Sequence, residues 1–178
     1  HTYHGNVFEG YFSPLKNKII LFVERFLAKK STKIIAISKL QKNDLVNKYK
    51  ICNEDKIIVV PLGFDLTKFI ENNLGKRNEI RNEFLVEDNE LLITIIGRVV
   101  PIKNHKLFID AFNYCKEKSN TKIKGLIVGD GSEIKDIINY ANRKGNLTSY
   151  KTVKTNNDFI FASWRSDIDF ILAASDIV

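Results

Sequence analysis

Short runs of consecutive apolar residues recur along the chain, and segments in which apolar residues are spaced at helical intervals separate them. The runs are typical of buried parallel strands and the spaced segments of amphipathic helices. Strands are predicted at residues 33–37, 56–60, 91–96, 123–128 and 158–162, with another beginning at residue 176. Because strands and helices alternate, the pattern predicts an α/β protein with parallel sheets covered on both faces.

Helices are predicted at residues 14–30, 38–50, 104–118, 132–144 and 167–174. Ser13 and Pro14 favour a helix start, because serine caps N-termini and proline at the first position has no N–H to leave unpaired. Ser38 and Gln41 have the spacing of a capping box, in which each side chain accepts a hydrogen bond from the other residue's backbone N–H.

The alternation of predicted strands and helices is interrupted in the polar segment ENNLGKRNE, residues 71–79. We therefore predict two α/β units, residues 1–72 and residues 73–178, with the boundary in this segment. The chain begins at His1, contains no methionine and stops as a strand begins. We expect it to be a piece of a longer protein.

Composition narrows the possible classes of protein. With 44% hydrophobic and 28% charged residues the chain is of globular type, and no apolar run approaches the ~20 residues that cross a bilayer. The net charge of +7 lies mostly in the first unit, which fits an anionic membrane surface or a phosphorylated substrate, although a solvated lysine-rich surface explains it equally well. Acidic residues interleave with the basic ones, so nucleic-acid binding is not expected.

Three loops of the second unit combine glycines or cations with the carboxyl ends of predicted strands. They are residues 97–104 with Gly97, Arg98 and Lys103, residues 129–132 with Gly129 and Gly131, and residues 163–166 with Trp164 and Arg165. Open parallel sheets bind ligands at this edge, where helix N-termini favour phosphate and glycine lets a ligand approach the backbone. Each loop alone is explained by an ordinary turn, but together they predict a diphosphate site. Neither the dinucleotide fingerprint nor the P-loop is present.

Histidine and cysteine give no metal site. His1 and His4 have no third ligand at metal spacing, and Cys52 and Cys115 are expected to be free thiols of a reducing compartment. His4, which precedes a glycine, is interpreted as a proton or hydrogen-bond donor to a substrate, or else as a packed loop histidine. Glu9 has no partner with which to act as a general base. The aromatic residues Phe159, Phe161 and Trp164 are expected to lie in the core, with stacking on a base as the less favoured alternative.

An ordered series of motifs resembles the GT-B glycosyltransferases of family 4, retaining enzymes of the glycogen synthase and bacterial polysaccharide type. The motifs are HTYHGNVFEGYFS, IIAIS, PLGFD, IIGRVVPIKNHKLFIDAF, GLIVGDGS and the W-R-x-D-I stretch. They cover nearly the whole chain, and G-R-x-x-x-x-K is the most specific. The resemblance implies parts of two Rossmann-like domains: the second half of the acceptor domain and the first half of the nucleotide-sugar donor domain.

The resemblance also implies roles for individual residues. Arg98 and Lys103 match the basic pair that holds the donor diphosphate, and His4 matches a histidine that faces the transferred sugar. Gly97, Gly129 and Gly131 match the turn and glycines near the nucleotide, and the segment from Phe161 to Trp164 matches the strand end that flanks the base. The family chemistry needs no metal or other cofactor. The family's N-terminal glycine loop and its E-x7-E segment are absent from this sequence, so we expect the chain alone to be inactive.

The expected function is therefore transfer of a sugar, with retention, from a nucleotide-diphosphate donor to a saccharide or lipid-linked acceptor. Capsule or lipopolysaccharide assembly in the cytoplasm would be typical. Alternatives are a nucleotide-sugar epimerase of the same fold, which would release free epimer without an acceptor, and a non-catalytic nucleotide-binding module.

Contact with the inner membrane is a separate hypothesis. The helix at residues 14–30 carries Lys16, Lys18, Lys29 and Lys30 together with Phe22 and Phe26, a composition compatible with an anionic leaflet. Its apolar face is predicted to consist of Ile19, Ile20, Val23, Phe26 and Leu27. We favour packing of this face on the sheet over membrane contact.

Overall fold

The computed structural model describes residues 1–5, 8, 13–153 and 155–178. These residues form two compact units, His1–Phe64 and Asp65–Val178. The first contains β1 (Thr2–Tyr3), α1 (Pro14–Lys30), β2 (Ile34–Ala36), α2 (Lys39–Asn43) and β3 (Ile57–Val59). The second contains α3 (Thr67–Ile70), α4 (Asn73–Glu83), β4 (Leu91–Ile96), α5 (His105–Lys118), β5 (Ile123–Val128), α6 (Ile134–Arg143), β6 (Thr148–Tyr150), β7 (Phe159–Ser163) and α7 (Ile168–Ala174).

Both sheets are parallel, as the uninterrupted apolar runs predict. The first has the order β1-β2-β3 and the second the order β4-β5-β7-β6. Beside β4, Ile93 forms a further parallel bridge with Ile177. The mixed α/β class with parallel sheets is confirmed.

The core of the second unit lies on both faces of its sheet. One cluster joins α4 and α7 to the sheet through residues such as Phe84, Leu126 and Ile171, and the other joins α5 and α6 through Phe112 and Ile137. Because both faces are covered, the strands are apolar on both sides, and β7 is buried along its whole length. Ligands can therefore reach this sheet only at its edges and strand ends.

The start of α2 confirms half of the predicted capping box. The hydroxyl of Ser38 accepts a hydrogen bond from the backbone N–H of Gln41 at 3.0 Å. The amide oxygen of Gln41 accepts from the N–H of Ile37 at 2.8 Å, not from that of Ser38. The α-helix ends at Asn43 and continues as a π-helical turn to Lys48.

The polar segment that gave no helical signal forms most of α4. Its inward positions include two cations, Lys76 and Arg81, as well as Ile80. The ammonium of Lys76 lies 2.8 Å from Asp169, and the guanidinium of Arg81 lies 3.3 Å from Asp176. A pattern of apolar residues misses a helix whose buried face is held by ion pairs.

The packing predicted for α1 is wrong. Of its predicted apolar face, Ile20 is half-buried, whereas Ile19, Val23, Phe26 and Leu27 are exposed. The side that packs against the core carries Ala28, Ile20 and Leu21. It also carries Glu24, which accepts a hydrogen bond from the hydroxyl of Tyr3 at 2.5 Å. An acidic residue occupies the packed side because a buried tyrosine provides its partner.

Candidate functional site

The carboxyl ends of β4, β5 and β7 are joined by main-chain hydrogen bonds. The N–H of Gly97 donates to Val128 at 2.9 Å, and the N–H of Gly129 donates to Ser163 at 2.8 Å. The loops beyond these strands remain together, since the N–H of Val99 donates to Asp130 at 3.0 Å. The three loops that were predicted to lie together at one edge of the sheet are thus neighbours in the structure.

Two glycines make this close approach possible. A Cβ on Gly129 would lie 2.0 Å from the carbonyl oxygen of Gly97, and a Cβ on Gly131 would lie 2.3 Å from that of Val99. Gly129 also has φ +141, which favours glycine. The glycines therefore have a packing role between loops, and their contact with a nucleotide stays a prediction.

Arg98 and Lys103 are exposed cations at this edge. In the described part of the chain neither forms an ion pair. The stem of Lys103 lies beside Gly97, because a Cβ there would be 3.7 Å from Cε of the lysine. A 3₁₀ turn at Pro101–Lys103 is followed by Asn104, the N-cap residue of α5, whose side chain makes no capping bond. The loop thus places two unneutralised cations close in sequence to a helix N-terminus, where anions are favoured.

His105, the first residue of α5, is fully buried. Neither of its ring nitrogens has a hydrogen-bond partner among the described residues. Burial, with a smaller effect of nearby Lys103, lowers the pKa of His105 below its ordinary value. The ring is therefore neutral at pH 7 and adds no charge to the cationic edge.

Trp164 is not a core residue, contrary to the interpretation from its residue type alone. It is 76% exposed and lines a surface cavity of about 440 Å³ together with Arg98, Gly129 and Ile168. The lining of this cavity is mostly apolar. An apolar cavity near the cations Arg98 and Lys103 could accommodate both the apolar and the anionic part of a nucleoside phosphate.

Phe159 and Phe161 lie in the core, as expected, with ring centroids 6.5 Å apart. Because the side chain of Phe161 is fully buried, contact with a base at this strand end would have to come from its main chain or from Trp164. The role assigned to the segment by resemblance stays a prediction.

Arg165 and Asp130 form interactions that the sequence did not indicate. Arg165 forms salt bridges with Glu83 at 2.5 Å and with Asp167 at 2.6 Å, so it is a paired cation, unlike Arg98. Asp130 accepts hydrogen bonds from the backbone N–H of Gly131 at 2.7 Å and from the hydroxyl of Ser163 at 3.1 Å. The loop composition showed that these residues were near the edge, but the contacts of Arg165 with Glu83 and of Asp130 with Ser163 join residues that are distant in sequence.

His4 lies at the carboxyl end of β1 and is exposed. Its accessibility fits hydrogen bonding to a substrate better than a packed loop position. His1 instead lies 3.7 Å from Glu24 and stacks edge-on against Tyr3. Glu9 lies outside the described residues.

The described residues contain neither a cluster of metal-ligating side chains nor a helix that could cross a membrane. Residues 1–5, 8, 13–153 and 155–178 contain no cluster of three or more His, Cys, Asp or Glu side chains suited to a metal ion. Within the same ranges, no helix has the length and apolar character that a bilayer crossing requires.

Comparison with known families identifies the class of protein. The sequence model of Glycosyl transferases group 1 matches residues 76–178, and that of Glycosyltransferase Family 4 matches residues 1–68. The chain belongs to the family 4 glycosyltransferases of the GT-B fold, as its motifs predict.

Several characterised or solved proteins resemble the chain. It is 30% identical over 181 residues to the Escherichia coli UDP-Gal:alpha-D-GlcNAc-diphosphoundecaprenol alpha-1,3-galactosyltransferase, covering 99% of this chain and 43% of that enzyme. The structure of HepE from Anabaena in complex with UDP and glucose matches with a TM-score of 0.74 at 21% identity, covering 99% of this chain and 44% of HepE. The structure of a glycosyltransferase from Rickettsia africae matches with a TM-score of 0.64 at 26% identity, covering 98% of this chain and 42% of the Rickettsia protein.

The chain spans less than half the length of the curated relatives that it matches, 43% and 42%. The matches therefore concern one continuous part of these proteins. Activity, substrates and partners of the whole protein are treated below as proposals.

Proposed function

We propose that the protein transfers a sugar from a nucleotide-diphosphate donor to a saccharide or lipid-linked acceptor, with retention at the anomeric carbon. The observation that carries this proposal is the pair of cations Arg98 and Lys103, which have no ion-pair partner among the described residues. They lie on a loop that leads into a helix N-terminus and borders the cavity of Trp164. The named activity of the Escherichia coli relative supports a lipid-linked acceptor. Cytoplasmic assembly of a bacterial polysaccharide such as capsule or lipopolysaccharide is the corresponding pathway class.

The proposed reaction exchanges one bond at the anomeric carbon for another. The bond from this carbon to the donor diphosphate breaks, and its electron pair stays on the departing phosphate oxygen. An acceptor hydroxyl forms the new glycosidic bond, and its proton passes to the departing diphosphate. Arg98 and Lys103 stabilise the negative charge that develops on the leaving group, because fixed cations cost no reorganisation during the step.

Other residues have supporting roles in this proposal. Trp164 borders the base, the turn of Gly97 and the main chain near Gly129 and Gly131 approach the diphosphate, and His4 donates a hydrogen bond to the transferred sugar. No metal or cofactor is part of the proposal, since the two cations supply the positive charge that the leaving group needs.

Titration of this chain and of the full-length protein with UDP, GDP and ADP tests the proposal. Calorimetry at low salt and in the presence of EDTA keeps phosphate contacts unscreened and removes divalent ions. We expect the full-length protein to bind one of the three nucleotides with EDTA present and to transfer the matching sugar. Failure to bind any of them would contradict the donor site, and binding without transfer would favour a non-catalytic module. Release of free epimer without an acceptor would favour an epimerase.

We also propose that α1 contacts an anionic membrane surface. The outer stripe of α1 consists of five exposed apolar residues, Leu15, Ile19, Phe22, Val23 and Phe26. At helical spacing, exposed lysines flank this stripe, Lys18 and Lys29 on one side and Lys16 on the other, and Lys30 lies at its C-terminal end. Apolar residues bordered by lysine are typical of helices that lie in the plane of an anionic leaflet.

Sedimentation with liposomes containing phosphatidylglycerol tests the membrane proposal. We expect the Phe22→Ser/Phe26→Ser variant to partition into liposomes at least about tenfold less, because it lacks the two aromatic side chains whose transfer from water into the membrane stabilises binding. Leu107→Ser/Tyr114→Ser removes two exposed apolar residues of the second unit and should leave partitioning unchanged. If the wild-type protein does not sediment even at low salt, α1 has no membrane role.

A further inference from the structure

The loop that follows β7, residues 163–167, is held from its first residue. Ser163 adopts a left-handed conformation with φ 58, which is unfavourable for a residue other than glycine. Its hydroxyl donates to Asp130 at 3.1 Å, and its carbonyl oxygen accepts from the N–H of Gly129 at 2.8 Å. These bonds maintain the turn at which the chain leaves the buried strand and exposes Trp164.

Arg165 holds the same loop from the other side. Its Nη1 and Nη2 donate to both carboxylate oxygens of Glu83, at 2.5 and 2.9 Å. Its Nε and Nη2 donate to both oxygens of Asp167, at 2.9 and 2.6 Å. The guanidinium also lies 5.6 Å from the ring centroid of Phe84, a fully buried core residue. Through the bidentate pair with Glu83 and the face of Phe84, this side chain connects the loop to the C-terminal end of α4. The bidentate pair with Asp167 lies within the loop and fixes its conformation.

The helix α4, which Arg165 contacts through Glu83, is itself held in place by ion pairs and hydrogen bonds to α7 and the residues after it. Lys76, near the start of α4, forms a nearly buried ion pair with Asp169 of α7 at 2.8 Å. Arg77 donates to the carbonyl oxygen of Ala174 at 3.0 Å and to Asp176 at 2.7 Å. Because α4 is tied to α7 and its flanking residues along its length, Glu83 is a rigid anchor.

Arg165 is poorly suited to bind a phosphate itself. Its hydrogen bonds to Asp167 and Glu83 raise its pKa above the ordinary value, and the bond from Arg165 lowers the pKa of Asp167. Two carboxylates outweigh one guanidinium, so the group carries a net negative charge at pH 7. A donor diphosphate would be attracted by Arg98 and Lys103, but not by Arg165.

We propose that Arg165 is a positioning residue for nucleoside recognition: by bridging Glu83 and Asp167 it fixes Trp164 at the mouth of the cavity and so determines affinity for the nucleoside part of the donor. This inference rests on the proposed function and deepens it. It assigns the nucleoside and the diphosphate to separately held parts of the edge, because Arg98 and Lys103 lie on the loop after β4 and take no part in the Arg165 pairs.

Two ligands separate positioning from general damage to the structure. UDP, GDP and ADP contain a nucleoside, whereas inorganic pyrophosphate requires only the cations. We expect Arg165→Ala to weaken binding of the preferred nucleotide at least about tenfold, as the loss of a base-stacking aromatic does, and to change pyrophosphate affinity by less than about twofold. Arg165→Lys should resemble the alanine variant, because an ammonium does not form two forked pairs. Arg143→Ala is the control, since this exposed arginine ends α6.

Time-resolved fluorescence anisotropy reports the mobility of the Trp164 side chain, because Trp164 is the single tryptophan of the chain. In Arg165→Ala we expect faster local motion in time-resolved anisotropy, without a change in far-ultraviolet circular dichroism. Unchanged anisotropy, or equal loss of nucleotide and pyrophosphate affinity, would overturn the positioning role. If the wild type binds the nucleotide and Arg165→Ala binds it equally well, only this inference fails. If the wild type binds none of the nucleotides, the proposed function fails with it.

Discussion

Replacing Arg98 and Lys103 together with alanine is expected to reduce sugar transfer by the full-length protein at least about a thousandfold, since a single preorganised donor to a developing oxyanion contributes about 10²–10³ in rate. Both cations are exposed and have no acidic partner among the described residues. Their loss should therefore affect ligand binding and leave the fold intact. Nucleotide and pyrophosphate affinity should fall together, which steady-state kinetics and calorimetry at low salt would measure.

A charge-matched variant controls for the change in net charge. Lys118 and Arg143 lie at the C-terminal ends of α5 and α6, at the other ends of these helices from the candidate site. Lys118→Ala/Arg143→Ala removes the same two charges from the same unit and should keep turnover within about twofold. If the Arg98/Lys103 variant retained wild-type turnover, the assignment of the diphosphate site would be wrong.

Replacing Gly129 with alanine is expected to destabilise the second unit by at least about 3 kcal/mol, because overpacking and left-handed strain add. The new Cβ would lie 2.0 Å from the carbonyl oxygen of Gly97, which is main chain and has no free rotation away from the contact. The strand ends would have to separate, breaking the bonds from Gly97 to Val128 and from Gly129 to Ser163. Urea denaturation followed by Trp164 fluorescence would report this unit specifically.

Gly145→Ala is the matched control for this substitution, because Gly145 lies in the same unit. A Cβ at Gly145 would meet no atom within 4 Å, although its φ is +83, so stability should fall only by the backbone strain, about 1 kcal/mol. A Gly129→Ala protein as stable as wild type would show that the loops after β4 and β5 are not packed as closely as the structure has them.

Much of the candidate site could be predicted from sequence because it follows from strand order. In a parallel sheet the carboxyl ends of neighbouring strands share one edge, so loops that begin with Gly97 and Gly129 must be close. The motif G-R-x-x-x-x-K then assigned Arg98 and Lys103 to that edge. The role of Gly129 could not be predicted from the sequence, because glycine is required both where a ligand and where another loop approaches the backbone closely. The structure shows that the carbonyl oxygen of Gly97 occupies the space that a side chain at Gly129 would need.

The two elements that the apolar pattern does not predict, α4 and β6, share a physical cause. The helix α4 was missed because Lys76 and Arg81 face inward, where acids distant in sequence neutralise them. The strand β6 was missed because Thr148–Tyr150 is short and has no apolar run, and it is stabilised by pairing with β7. In each case the partner, not the residue, makes the position favourable.

Most of the local elements, their parallel pairing, the family and the cations of the edge could be predicted from the sequence, because apolar periodicity and motif spacing are properties of neighbouring residues. Which charges have partners depends on contacts between residues that are distant in sequence. Arg98 and Arg165 are the same residue type in similar loops, yet Arg165 is paired with Glu83, which lies 82 positions away, and Arg98 has no acidic partner among the described residues. Tertiary structure also decided that Trp164 faces solvent while Phe161 is buried, and that α1 keeps an apolar stripe exposed. Long-range contacts set the environment of each side chain, and the environment gives identical residues different chemistry.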